Sequence, residues 1–255
     1  MNLTKRSLPK YVLAISAIAL FTVGCSSPDR ELLNQLDTAE KTGSYRNLYE
    51  KSKSIVDDPN QYDANTVQLA QDYLDRSTRV LKKHYNSTVA STISSGNYVQ
   101  AITTYESSEP EIRQALERNF PLQEQLMRSY IELNDFARAR EALSLMAAQA
   151  EGDEQNDKVA DFDEKLERLT YAFDTMNAYR SQIIEASEEF GFMVDDTGVP
   201  STHCSGTAQE DIIPDNIQEL IDLFNELQGD YGTLKEDLGR PGSVRVATVL
   251  QGMDL

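Results

Sequence analysis

Cysteines and basic residues are scarce in this sequence. Only two of its 255 residues are Cys, too few for a disulfide scaffold or a Cys-based zinc site. It has 24 Lys and Arg against 42 Asp and Glu, which gives a formal net charge of −18 at pH 7. Such a chain would be repelled by nucleic acid unless one face were strongly basic, and no stretch of the sequence supplies that face. We therefore expect no nucleic-acid partner.

Catalytic motifs are lacking as well. The sequence contains no GxSxG, no HExxH, no glycine-rich phosphate loop and no Rossmann fingerprint. His203 and Cys204 are adjacent, so a thiol nucleophile is one alternative, but adjacent side chains in an extended chain point apart and no third orienting group is identifiable. We interpret Cys204 as an unpaired thiol, with an intermolecular disulfide as the other alternative.

Metal-binding patterns are incomplete. The acidic segments 153–157 and 195–198 lack the full ligand spacing, the Gly and the terminal Glu of a calcium-binding loop. We interpret both as surface carboxylates. With no metal site, no cofactor and no catalytic residue indicated, we predict that the protein is not an enzyme.

Long hydrophobic runs are limited to one, near the start of the chain. Lys5, Arg6 and Lys10 precede a mostly apolar run over residues 11–23. A basic stretch followed by a short apolar run is typical of a secretory signal. The run is too short for an ordinary transmembrane helix, which needs about 20 residues. The chain as a whole is 40% hydrophobic, enough for one or two globular domains with a real core.

The end of the apolar run carries a second signal. The segment Thr22-Val23-Gly24-Cys25 resembles the lipobox of bacterial lipoproteins, although Leu is usual where Thr22 stands. The resemblance implies removal of residues 1–24, lipid attachment with acyl chains such as palmitate at Cys25, and a short tether over residues 25–30. Ser26, directly after the Cys, resembles the residue that directs Gram-negative lipoproteins to the outer membrane. We therefore expect a lipid-anchored protein at the outer membrane, facing the periplasm. The alternative is an ordinary secreted protein with an incidental Cys25.

Acidic residues are distributed unevenly. Without residues 1–24 the formal charge is −21, and residues 181–255 hold 15 acidic and 3 basic side chains. No Lys or Arg occurs between Ser181 and Leu234. We expect this acidic part to face away from anionic lipid, toward water or a basic partner.

The middle of the chain is predicted to be helical. From Glu31 to Met193 the apolar residues recur at three- and four-residue spacing, which predicts an all-α fold. Three turns, at residues 43–45, 96–98 and 134–136, have similar sequences, and each ends with an aromatic residue. A small or apolar residue stands three positions after each aromatic residue. Those three residues are Leu48, Ala101 and Ala139.

One segment carries the clearest repeat pattern. The series Leu126, Tyr130, Phe136, Ala139 and Leu143 resembles the tetratricopeptide repeat. The preceding unit matches only in its second half, because Thr92 stands where the first-helix Tyr is expected. The resemblance implies stacked antiparallel helical hairpins, in degenerate form, over residues 31–193. A plain irregular helical bundle is the alternative.

Two long helices are predicted beside the hairpins. One extends from Asn65 to Tyr85, and the other keeps an apolar stripe from Val159 to Phe190. We expect the second helix to lie along the hairpins, with homodimerisation through its stripe as the alternative.

The acidic region 194–255 is predicted to be a loop and a helix. The helix begins with a capping box at Asp215 and Gln218 and ends at Gly229. We expect its apolar face to pack on the preceding helices. The alternative is that this face binds in a groove of a partner protein. The tail over residues 241–255 is a short strand or a final helix.

These observations favour a membrane-tethered scaffold or adaptor that binds another envelope protein or peptide. The alternative is a structural subunit of an envelope assembly such as a pilus or secretin. A homo-oligomer is one form that the protein could take. An enzyme centred on residues 203–204 is the least favoured hypothesis. Tetratricopeptide domains bind peptides in the groove lined by their first helices, and the resemblance assigns that groove here to six residues. They are Asn86, Ala90, Ile93, Glu124, Arg128 and Ile131.

Overall fold

The computed structural model describes residues 28–192, 194 and 213–239. That part of the chain holds nine α-helices and no strand, so the predicted all-α class is confirmed. The helices are α1 Pro28–Lys41, α2 Tyr45–Asp57, α3 Ala64–Ser94, α4 Tyr98–Glu106, α5 Pro110–Glu117, α6 Phe120–Glu132, α7 Phe136–Ala147, α8 Gly152–Phe190 and α9 Asp215–Leu238, with a 3₁₀ turn at Pro59–Gln61.

The chain divides into two compact units within α3, one through Leu81 and one from Lys82 onward. In the first unit α1 packs against α2. Its buried core consists of Leu36, Ala39, Leu48, Ile55 and Ala70. The sequence predicts a domain boundary between residues 193 and 194, which differs from this division at residue 81. That predicted boundary stays a prediction.

In the second unit α6 and α7 form a tightly packed hairpin. Helices α4 and α5 pack against α6, while α8 packs against α7. Helix α9 lies along α8 and also reaches α6. Helix α6 is therefore surrounded, and every residue from 122 to 131 is buried.

The three turns singled out in the sequence have the same geometry. Gly43, Gly96 and Asn134 each have a left-handed backbone, with φ of 71°, 80° and 57°. At each turn the residue after them donates its backbone N–H to a carbonyl five positions back, as in a Schellman motif: Ser44 to Ala39, Asn97 to Thr92, and Asp135 to Tyr130. Leu48, Ala101 and Ala139 are all fully buried. The predicted turns are therefore confirmed.

Helix α1 begins earlier than predicted. It starts at Pro28, inside the segment 25–30 that was expected to be a tether. Proline is favoured in the first helical turn because its missing N–H would have no partner there. Only Ser26 and Ser27 therefore separate Cys25 from the first helical residue.

Helix α3 is longer than predicted. The expected helix Asn65–Tyr85 and the expected first helix of the next repeat form one continuous helix of 31 residues. Neither Gly nor Pro occurs between Ala64 and Ser94 to end it. At its start the Asp63 carboxylate accepts the backbone N–H groups of Asn65 and Thr66, both at 2.9 Å.

Helix α8 confirms the predicted apolar stripe as far as Ile183, whereas Phe190, the predicted end of the stripe, is 42% exposed. It has 39 residues and is about 58 Å long. Phe162, Leu166, Leu169 and Ile183 of the stripe are buried. Because α7 and α9 of the same chain pack against this helix, the stripe lies along the chain's own helices, as expected.

Helix α9 differs from its prediction at both ends. Pro214 is its N-cap residue and no side chain caps it, so the predicted capping box is wrong; Gln218 donates to Asp222 instead, at 3.0 Å. The helix also continues past Gly229 to Leu238. Burial of Leu234 and Leu238 offsets the unfavourable helix propensity of glycine, about 1 kcal/mol.

The predicted docking of α9 in cis is confirmed. Ile221 and Phe224 form a buried cluster with Ile183, Ala186 and Phe192. No helix in the described residues combines the length and the apolar character that crossing a bilayer requires.

Candidate functional site

The six residues predicted to line a groove lie in the interior. Asn86, Ala90 and Ile93 come from α3, and Glu124, Arg128 and Ile131 come from α6. The most exposed of them, Arg128, has a relative exposure of 8%. The expectation that these side chains face solvent is therefore wrong, because neighbouring segments cover both helices. Their role in partner binding stays a prediction.

Three charged residues form an ion cluster, which we define as the buried Glu124 and Arg128 and the partly exposed Lys158. Arg128 donates to Glu124 Oε1 through Nη2 at 2.7 Å and through Nε at 3.2 Å. Lys158 donates to the other oxygen, Oε2, at 2.6 Å. Because both carboxylate oxygens accept from cations, the buried charge of Glu124 is fully paired.

The ring of Phe162 completes the surroundings of this cluster. The Arg128 guanidinium lies 4.8 Å from the ring centroid and the Lys158 ammonium 5.6 Å from it. A cation over an aromatic face is attracted by the negative face of the ring. The ion cluster therefore joins α6 to α8 by two contacts, the ion pair of Lys158 with Glu124 and the cation–π contact of Arg128 with Phe162.

The end of α9 covers the same side of α6. Arg128 Nη1 donates to the carbonyl of Gly239, just past the helix end, at 3.4 Å. Tyr231 and Lys235 both donate to Asn134 Oδ1 in the α6–α7 turn, at 2.5 Å and 3.0 Å. Arg128, one of the six residues that the repeat resemblance assigns to a partner, is thus in contact with the end of the chain's own helix α9.

A buried polar network lies around the start of α6. The Asn119 side chain caps α6 by accepting the Leu122 N–H at 3.2 Å, and it donates to Asn86 at 3.0 Å. Gln123 donates to the Leu116 carbonyl at 3.1 Å and to the Tyr105 hydroxyl at 3.5 Å. Burial raises the pKa of Tyr105 above its ordinary value, so its hydroxyl stays neutral. Asn86 therefore has an internal structural partner.

A surface cleft lies beside the α6–α7 turn, and we name it the turn-side cleft. Its volume is about 230 Å³, below the ~300–1,000 Å³ of small-molecule sites, so it suits one or two side chains. It is lined by Val99, Ile102, Thr103, Glu106, Tyr130, Leu133, Asp135 and Arg138.

The turn-side cleft has an apolar floor and a charged rim. Ile102 and Tyr130 are buried at its base, whereas Val99 is 62% and Leu133 is 43% exposed. Burial raises the pKa of Tyr130, with the Glu106 carboxylate adding to the shift, so the phenol stays neutral. Arg138 contacts Glu106 at 2.7 Å on the rim.

Sequence reasoning missed this cleft. Val99 lies three positions before the buried Ile102, and Leu133 lies three positions after the buried Tyr130, so both continue a helical spacing of core residues. No signal in the sequence distinguishes them from core residues, because their exposure depends on which helices pack nearby.

Metal-binding groups are not brought together in the described residues, where no cluster of three His, Cys, Asp or Glu side chains could hold an ion. Residues 153–157 belong to the first turns of α8, and Asp153 and Asp157 are exposed, as predicted for surface carboxylates. Cys25, the predicted site of lipid attachment, the pair His203 and Cys204, and the tail 241–255 lie outside the described residues.

Comparison with known proteins gives no relative for this chain. No protein-family model matches it, and neither curated proteins nor solved structures give a significant match.

Proposed function

We propose that this protein is a lipid-anchored adaptor that binds another protein of the bacterial envelope through the turn-side cleft. The observation that carries the proposal is the exposure of Val99 and Leu133 in one cleft over a buried apolar floor. Covering an apolar side chain fully is worth about 1.5–3 kcal/mol, so two half-covered ones give a partner a real gain. The occupant we propose is an apolar side chain of a partner polypeptide.

The rim supports a protein partner over a small molecule. Glu106 and Asp135 flank Arg138 at 2.7 Å and 3.5 Å, which places both signs of charge around the apolar floor. A polar rim around an apolar centre is the usual anatomy of a protein interface. The rim would therefore fix the orientation of a bound segment while the floor supplies affinity.

Repeated hairpins support the scaffold part of the proposal. The three Schellman turns place an aromatic residue at the start of the next helix, with a fully buried residue three positions later. We propose that these are degenerate tetratricopeptide-like units, since equivalent turns are what stacked repeats require.

The anchor is proposed from the lipobox resemblance alone. Three Cα–Cα steps separate Cys25 from Pro28, at most about 11 Å. If Cys25 carries two or three acyl chains, α1 must begin close to the membrane surface.

Site-specific photo-crosslinking in cells tests the cleft. A photoreactive residue replaces Leu133, and the matched control replaces Leu69, which is 41% exposed on another helix. We expect one identified envelope protein to be crosslinked from position 133 and not from position 69. Val99→Asp should abolish that crosslink, because a carboxylate in the apolar cleft must be desolvated. Equal crosslinking from both positions, or no effect of Val99→Asp, would overturn the proposal.

Membrane fractionation tests the anchor separately. Cys25→Ala, made together with an ordinary signal-peptidase cleavage site so that residues 1–24 are still removed, should release the protein from membranes and leave the turn-side cleft intact. Unchanged membrane association would refute the lipoprotein part and leave the cleft to the crosslinking result.

A further inference from the structure

A second cleft lies between α8 and α9, and we name it the acidic cleft. Its volume is about 420 Å³. It is lined by Glu167, Arg168, Tyr171, Ala172, Leu227, Asp230 and Leu234. None of these residues belongs to the turn-side cleft.

The acidic cleft has an apolar base and an exposed aromatic wall. Ala172 and Leu234 are buried at its base, and Leu227 is half-buried. Tyr171 is 68% exposed, the highest value among the large hydrophobic side chains of the described residues. Leu223, 40% exposed, lies one helical turn before Leu227 on the same face of α9. The apolar surface therefore extends beyond the cleft along α9.

Charge is the second feature of this cleft. Glu167 comes from α8 and Asp230 from α9, so each of the two helices contributes one carboxylate, and Arg168 is the cation that accompanies them. Within the described part of the chain these three side chains make no hydrogen bond or ion pair. They are therefore available to a ligand.

Helix α9 adds to the negative potential. Its sequence has seven carboxylates and a single cation, Lys235, which donates to Asn134 away from the cleft. With Arg168 as the cleft's one cation, the carboxylates of the cleft and of α9 leave a negative excess, which concentrates ligands of positive charge.

We propose that the acidic cleft binds a basic amphipathic segment of a partner protein. A Lys or Arg side chain of that segment lies over the Tyr171 ring, between Glu167 and Asp230, and an apolar neighbour packs on Leu227. The exposed aromatic face attracts the cation, and the two carboxylates pair with it. An acidic segment is excluded by repulsion from the same carboxylates.

Peptide binding to the full chain in non-ionic detergent tests this inference. The probe is a fluorescent peptide with Lys and Leu at helical spacing, compared with the same peptide carrying Glu for every Lys. Fluorescence anisotropy is read against empty micelles, and a circular dichroism melt checks that each variant folds. We expect the basic peptide to bind and the acidic peptide not to bind.

Three variants separate the cleft from general acidity. Glu167→Gln with Asp230→Asn removes two charges in the cleft, and Glu185→Gln with Glu219→Gln removes two exposed charges from the same helices outside it. The cleft pair should weaken binding about tenfold or more, Tyr171→Ala should weaken it in the same direction, and the control pair should stay within about twofold.

Several results would overturn the inference. Equal loss from both double variants would mean diffuse attraction only. Unchanged binding by Tyr171→Ala, equal binding of the acidic peptide, or a signal from empty micelles alone would each refute it too. The turn-side cleft shares no residue with the acidic cleft. The crosslinking result for the turn-side cleft is therefore independent of the peptide-binding result for the acidic cleft.

Discussion

Helices α6 and α9 are in contact, but they use their side chains in opposite ways. Helix α6 buries every residue from 122 to 131, including Glu124 and Arg128. Helix α9 is almost twice as long, yet only Ile221, Phe224, Leu234 and Leu238 are buried. A charged residue in the sequence therefore does not by itself mark a surface.

The difference follows from the number of neighbours. Helix α6 is packed by α4, α5, α7 and α9, so it has no free face. Helix α9 packs chiefly along α8, and its opposite face carries the carboxylates. We therefore expect changes in α6 to act on folding and changes on the exposed face of α9 to act on binding.

The largest effect should come from the apolar core of α6. Leu126→Ala removes a fully buried side chain and leaves a cavity, so the free energy of unfolding should fall by about 3 kcal/mol. The same change at Leu223 of α9, which is 40% exposed, should stay within about 0.5 kcal/mol. Urea unfolding measures both, and similar losses would contradict the contrast between the helices.

The ion cluster should give the next largest effect. Arg128→Ala leaves the buried Glu124 with Lys158 alone, so stability should fall by about 2–3 kcal/mol. Replacing both partners, Arg128→Met with Glu124→Leu, should recover much of that loss because the one charge left, Lys158, is 41% exposed and can be solvated by water. If the double variant is as unstable as the single one, packing and not charge determines the effect.

Replacing two glycines by alanine should give smaller changes in stability, and the two changes should have opposite signs. Gly229 lies inside α9 with open space around its Cβ position, so Gly229→Ala should raise stability by about 0.5–1 kcal/mol. Gly96 has φ of +80° in the α3–α4 turn, so Gly96→Ala should lower stability by about 1 kcal/mol. Thermal unfolding of the two variants checks the signs; a loss at Gly229 would mean that α9 needs glycine there.

The smallest effect should appear at alkaline pH. Burial raises the pKa of Tyr130 in α6, so the neutral phenol stabilises the fold below the ordinary tyrosine pKa of about 10. That contribution is lost as the pH rises above this value toward the pKa of the folded state. Tyr130→Phe has no hydroxyl to ionise, and its stability should fall less steeply with pH. Equal slopes of unfolding free energy for the two proteins would refute a buried neutral Tyr130.

Much of the local structure could be predicted from the sequence. Gly43, Gly96 and Asn134 can adopt a left-handed backbone at low strain, so the turns were recognisable from residue type. The stripe of α8 was recognisable from its spacing. The candidate sites were not, because Val99 and Tyr171 look like ordinary helix residues until their neighbours are known.

The sequence by itself determined the all-α class, the turns and the face of α8 that is buried, because periodicity and turn chemistry act over a few residues. Only the tertiary structure decided that α9 continues through Gly229 and that Glu124 and Arg128 lie inside. Both outcomes depend on contacts between residues far apart in the chain, such as Arg128 with Gly239 and Glu124 with Lys158. Local preferences of about 1 kcal/mol are overridden where such contacts bury larger surfaces.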